Sequence, residues 1–126
     1  RKMKHESAII KKRYSVEGML SIIKCFDMCI GMRLHTLIYA AINSVPLIGL
    51  VYDPKINSFM EYTHQRHYVD VNEVTDENLK KMLDECVANY DTIKQDLKEN
   101  YSHLKEKAKL NGKYAIELYE KGSVTL

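Results

Sequence analysis

Apolar residues recur along this chain with two different periods, and their alternation predicts strands and helices in turn. Ala8–Ile10 is a short apolar group after a basic, polar start and reads as a short strand. Across Val16–Cys25 the apolar positions Val16, Met19, Leu20, Ile22 and Ile23 fit a short helix packed on a sheet. Phe26–Gly31, broken only by Asp27, reads as a buried strand. Leu34, Leu37, Ile38, Ala41, Ile42 and Val45 then repeat at three- and four-residue steps. That is the stripe of an amphipathic helix, and Pro46 ends it. Leu47–Tyr52 is apolar on both faces, as a central parallel strand is. Asp53 and Pro54 signal a turn, Ile56–Tyr62 a short helix, and Tyr68–Val71 a short last strand.

The remainder is helical in pattern. Thr75 suits an N-cap, with Asp76 and Glu77 where the positive end of a helix favours acid. Leu79, Met82, Leu83, Cys86, Val87 and Tyr90 mark one face of that helix. A second helix takes Ile93, Leu97, Tyr101, Leu104, Ala108, Ala115 and Tyr119 as its stripe, with Gly112 placed to bend or interrupt it. Strands and helices that alternate with short connections imply right-handed crossovers onto a parallel sheet. The pattern therefore predicts an α/β protein: residues 1–126 as one domain, an α/β core over 8–71, and a helical segment over 75–121.

Composition narrows the function classes. A chain of 126 residues supports one domain, and 45% apolar with 29% charged residues is ordinary for a globular protein. Net charge is +2, from 19 basic and 17 acidic residues, which argues against nucleic acid as a partner. No apolar run approaches the roughly 18–20 residues of a membrane span, and nothing resembles a signal peptide. The first residue is Arg1 rather than Met, as in a fragment, a processed product or a trimmed chain. Cys25, Cys29 and Cys86 fit reduced, buried thiols of a cytoplasmic protein, and the Cys25–Cys29 spacing is not that of a zinc knuckle.

Chemistry gathers at two predicted strand ends. Arg33 and His35 follow Gly31 within the first turn of the next helix. Unpaired N–H groups already make that end positive, so cations there are unfavourable unless an anion sits among them. The turn reads as a phosphate or carboxylate site. Tyr52, Asp53 and Lys55 follow the second strand and face the same crevice if the two strands are neighbours. Arg33 can clamp an anion through paired hydrogen bonds, and His35 can carry a proton near neutral pH. Asp53 would accept from a sugar hydroxyl or merely fix the turn; Lys55 adds attraction for an anion. A purely structural role for Arg33 and His35 is the alternative. His64 and His67 lack the further ligands a metal needs and read as surface polar residues, and no metal site is expected. The chain has no nucleophile elbow, phosphate-binding P-loop or dinucleotide fingerprint.

The stretches Asp27–Ala41 and Val45–Lys55 resemble the polysaccharide pyruvyl transferase family, most specifically at Met32-Arg33-Leu34-His35 and Tyr52-Asp53-Pro54-Lys55. That resemblance implies a partial Rossmann-like parallel sheet flanked by helices with two long C-terminal helices, as in the C-terminal domain of a GT-B-like fold. It implies transfer of pyruvate from phosphoenolpyruvate to a sugar of a cell-surface glycan as a ketal, without a cofactor. Arg33, His35, Asp53 and Lys55 would bind substrate, with His35 the catalytic acid. The implied partners are phosphoenolpyruvate, a sugar or lipid-linked glycan acceptor, and a missing N-terminal domain of the same enzyme. The implied location is cytoplasmic, peripheral at the inner face of the membrane. Family members are more than twice as long, so the chain alone is expected to be inactive. Two other readings remain open: the donor-binding half of a GT-B nucleotide-sugar glycosyltransferase or epimerase, and a non-catalytic helical interaction module.

Overall fold

A computed structural model describes residues 4–122. Helix α1 (Val16–Ile23) begins where the Ser15 hydroxyl accepts from the Gly18 N–H. Three short strands follow, β1 (Cys29–Gly31), β2 (Leu47–Val51) and β3 (Tyr68–Asp70). Helix α2 (Leu34–Ile42) joins the first two and α3 (Pro54–Tyr62) the last two. The strands lie in the order β1-β2-β3, all parallel, with Gly31 opposite Gly49 and Gly49 opposite Tyr68. The α/β class and the parallel sheet read from the sequence are the ones observed.

Two glycines bring the helices down onto the sheet. A methyl group at Gly31 would lie 2.7 Å from Leu37 Cδ2, and one at Gly49 would lie 3.2 Å from Met60 Sδ and Tyr68 Cβ. Gly31 and Gly49 are register partners, so α2 and α3 cover the same face. Leu37 and Met60 are fully buried there with Leu47 and Ile56, while Ile48 is buried on the opposite face. Burial of a large aliphatic side chain is worth about 1.5–3 kcal/mol, so this layer holds the sheet.

The later helices close the rest. Thr75 and Asn78 cap α4 (Asp76–Ala88) reciprocally: the Thr75 hydroxyl accepts from Asn78 N–H at 3.1 Å and Asn78 Oδ1 from Thr75 N–H at 2.8 Å. Helix α5 (Tyr90–Lys121) runs 32 residues and passes the C-terminal ends of α2 and α3, where Asn100 Nδ2 donates to the Thr63 carbonyl at 2.6 Å. Cys86 of α4 and Leu97 of α5 join the core.

Several expectations are corrected. Ala8–Ile10 is not a strand; it has no regular structure, and Ile9 is 81% exposed. The strand expected over Phe26–Gly31 shrinks to Cys29–Gly31, because the Cys25 and Phe26 amides still bond to the carbonyls of Ile22 and Ile23. Neither Phe26 nor Ile30 is buried, and Cys25 is exposed, unlike the buried Cys29 and Cys86. Helix α2 stops at Ile42 rather than running to Val45. Asn43 Nδ2 donates there to the carbonyls of Tyr39 and Leu20, and Ser44 takes a left-handed φ of 54°. The turn thus ends the helix before Pro46 is reached. Helix α5 is unbroken through Gly112, which is exposed and leaves no packing to lose.

Candidate anion site at the carboxyl edge of the sheet

In open parallel sheets, ligands gather beyond the carboxyl ends of the strands. Here β1 and β2 are direct neighbours running the same way, so the turns after Gly31 and Val51 open on the same edge. The sequence-predicted residues Arg33, His35, Asp53 and Lys55 all stand on these two turns.

The turns differ in how they start their helices. Asp53 is the N-cap of α3, and its Oδ1 accepts from the Lys55 N–H at 2.8 Å, with Pro54 as the first helical residue. The half-buried Asp53 carboxylate thus has a local structural partner. Arg33 is the N-cap of α2, extended at φ −99° and ψ 129°, and its side chain makes no capping bond. No acidic residue lies in the first turn of α2. Arg33 and His35 are both exposed, and the His35 ring meets Tyr39 edge-on at a centroid distance of 6.3 Å.

Among the described residues, ion pairs join Lys81 to Glu85, Lys109 to Glu106 and Lys113 to Glu117, and the His67 ring also approaches Glu85. None reaches Arg33, His35 or Lys55. Three basic groups therefore stand on the carboxyl edge without an internal counter-charge, two of them at a helix start that a cation disfavours. That electrostatic arrangement favours an anion from outside the chain.

The third strand end adds groups not singled out from the sequence. Asp70 Oδ1 accepts from the Asn72 N–H at 2.8 Å and from Asn72 Nδ2 at 2.9 Å, turning the chain after β3. An Asp two residues before an Asn is the available signal for such a turn. Exposed Tyr52 stands between this turn and the α2 start.

A separate cleft of about 830 Å³ lies at the other end of the sheet, lined by His64, Arg66, His67, Glu85, Asp96 and His103 among others. It contains none of the four predicted residues. His67, expected on the surface, is half-buried, with its Nε2 3.4 Å from Glu85 Oε2. Burial raises the thiol pKa of Cys29, and burial together with the Glu85 charge raises that of Cys86, so both resist becoming thiolates. Among the described residues no group of three or more His, Cys, Asp or Glu is placed to hold a metal ion. Nor is any described helix long and apolar enough to cross a membrane.

These features define an α/β protein whose helix starts line the carboxyl edge of a parallel sheet. Residues 1–54 match the family model of the polysaccharide pyruvyl transferases. That stretch, from the N-terminal segment through β2 to the first residue of α3, is similar to that transferase family. The match includes Arg33, His35 and Asp53 and ends one residue before Lys55. Neither the curated proteins nor the solved structures offer a match to the chain.

Proposed function

We propose that this chain supplies the donor side of a transferase that moves pyruvate from phosphoenolpyruvate onto a sugar as a cyclic ketal. The observation that carries the reading is the α2 start: an uncapped helix terminus flanked by Arg33 and His35, both without acidic partners among the described residues. Arg33 and the first amides of α2 bind the phosphate or carboxylate of the donor. His35 donates the proton that the vinyl carbon takes up, leaving an oxocarbenium-like centre at the phosphate-bearing carbon. One sugar hydroxyl adds to that carbon and returns its proton to His35. A second hydroxyl then displaces phosphate, which leaves with that hydroxyl's proton as the ketal closes, while Arg33 stabilises the departing charge. Lys55 adds to the field that draws the anion in. The acceptor side belongs to a further GT-B-like half of the same enzyme, at the cytoplasmic face of the membrane.

The test is thermal unfolding of the chain with phosphoenolpyruvate, with and without Arg33→Ala. Ligand at a hundred times its dissociation constant adds about 2.7 kcal/mol of stability, and the variant should lose that gain. Stabilisation by uridine diphosphate but not by phosphoenolpyruvate would instead favour a nucleotide-sugar enzyme. No stabilisation by either anion would remove the basis of the reading.

A further inference from the structure

The cleft at the amino end of the sheet has a chemistry opposite to that of the carboxyl edge. It encloses about 830 Å³, within the roughly 300–1,000 Å³ usual for small-molecule sites. One wall is the segment from His64 to His67 that leads into β3, and the other is formed by α4 and one face of α5. Asp96, Asn100 and His103 recur on α5 at steps of four and three residues, so they share that face.

Three side-chain amides on the lining are pinned by their nitrogens. Gln65 Nε2 and Asn100 Nδ2 both donate to the Thr63 carbonyl, at 3.1 and 2.6 Å, so these two amides are neighbours. Asn89 Nδ2 donates to the Glu85 carbonyl at 2.9 Å. Each bond fixes which amide atom is the nitrogen, and none of the three amide oxygens accepts a hydrogen bond among the described residues. Gln65 matters most, because the residue is only 6% exposed. No sealed side-chain oxygen lacks a partner among the described residues, so its unpaired Oε1 is reached from the cleft. An acceptor held at that depth is stabilised by a donor that enters beside it.

Carboxylates complete the lining. Glu85 is approached by His67 and Lys81, and Glu99 Oε1 accepts from Gln95 Nε2 at 2.6 Å. Asp96 has neither an ion pair nor a side-chain hydrogen bond among the described residues. It stands one helical turn before Asn100, whose amide adjoins that of Gln65. Arg66 is the one lysine or arginine on the described lining, against three carboxylates, so with the imidazoles uncharged the cleft is negative. No three His, Cys, Asp or Glu side chains among the described residues are placed to hold a metal ion, which favours a cation that brings its own N–H donors.

From this convergence we infer that the cleft is a second ligand site, for an organic primary ammonium that donates to the Asp96 carboxylate and to the amide oxygens of Gln65 and Asn100. The three donors of one ammonium then meet three acceptors. Glu85 and Glu99 add to the field that draws the cation in. Polyamines and amino sugars both carry the group. The inference stands whether or not the anion at the carboxyl edge is phosphoenolpyruvate.

Titration calorimetry and side-chain amide NMR on the 126-residue chain test it, with putrescine, glucosamine and glucose as probes. Putrescine or glucosamine should bind at millimolar concentration, the tighter of the two identifying the carrier, and glucose should not. The side-chain amide signals of Gln65 and Asn100 should shift on binding, while those of Asn72 at the carboxyl edge stay in place. Asp96→Asn keeps the size of an exposed side chain and should weaken amine binding about tenfold, as loss of one charged hydrogen bond does. Glu117→Gln, far along the same helix, should leave it unchanged. Equal weakening by the two variants means diffuse attraction of amines to an acidic helix and overturns the inference. Binding of neither amine, glucose bound as tightly as glucosamine, or unmoved Gln65 signals overturns it as well.

Discussion

The two strand-to-helix turns at the carboxyl edge face the same electrostatic problem and differ in what they bring to it. At the start of α3, Asp53 places a carboxylate on the exposed amides and Pro54 fixes the first helical residue. That helix start is neutralised from within. At the start of α2, Arg33 occupies the capping position without capping it, and His35 adds a second basic group. That start receives no side-chain cap. Adjacent turns of one sheet can therefore differ, one capped from within and the other the place where the proposed function seats its anion.

The division can be broken by exchange of side chains. The largest effect is expected from Arg33→Ala, which removes a charged hydrogen-bond donor and should weaken phosphoenolpyruvate binding roughly ten- to hundredfold. Lys55→Ala, at an exposed charge beyond the capped turn, should weaken it by less than about fivefold. Titration calorimetry compares them, and equal losses would erase the distinction between the turns. Next in size is Gly31→Ala, whose methyl group meets Leu37 2.7 Å away. Overpacking of this kind costs about 1–3 kcal/mol, readable as a lower urea midpoint.

Smaller, and more pointed, is a swap of roles. Arg33→Asp gives α2 the cap it lacks and should stabilise the chain by about 1 kcal/mol while abolishing anion binding. Asp53→Ala should cost about 1 kcal/mol and leave anion binding intact. A destabilised Arg33→Asp variant would mean that Arg33 has a packing role. Smallest is a pH effect. Cys29 and Cys86 have raised pKa values in the folded chain, so above about pH 8.5 the unfolded chain loses thiol protons that the folded chain keeps. Stability should fall with rising pH there, by at most about 1.4 kcal/mol per pH unit for each thiol, and Cys29→Ala should remove part of the slope.

Much of this arrangement was legible in the sequence where periodicity and capping agree. The stripe from Leu34 to Val45, the apolar run Leu47–Tyr52 and the Thr75 cap each gave an element that is observed, the first ending three residues early and the second one residue early. Placement of Arg33 and His35 at one helix start followed from the same reading. Less legible were features that depend on tertiary partners. The bonds from Cys25 and Phe26 back into α1 shorten β1, and Asn43 ends α2 by reaching as far as Leu20. Ala8–Ile10 has a strand's composition, yet composition alone does not supply the neighbour that a strand requires. The capping role of Asp53 was one of two readings its position allowed, and only the 2.8 Å bond to Lys55 N–H distinguishes them.

The contact between Gly31 and Leu37 has a mechanical consequence. With Leu37 seated where a side chain of residue 31 would project, the strand end and the first turns of α2 behave as one stiff piece rather than as a hinge. The anion proposed for this edge would then meet backbone that is already fixed, and its arrival would cost little backbone ordering entropy, as with a key in a cut lock rather than a closing hand.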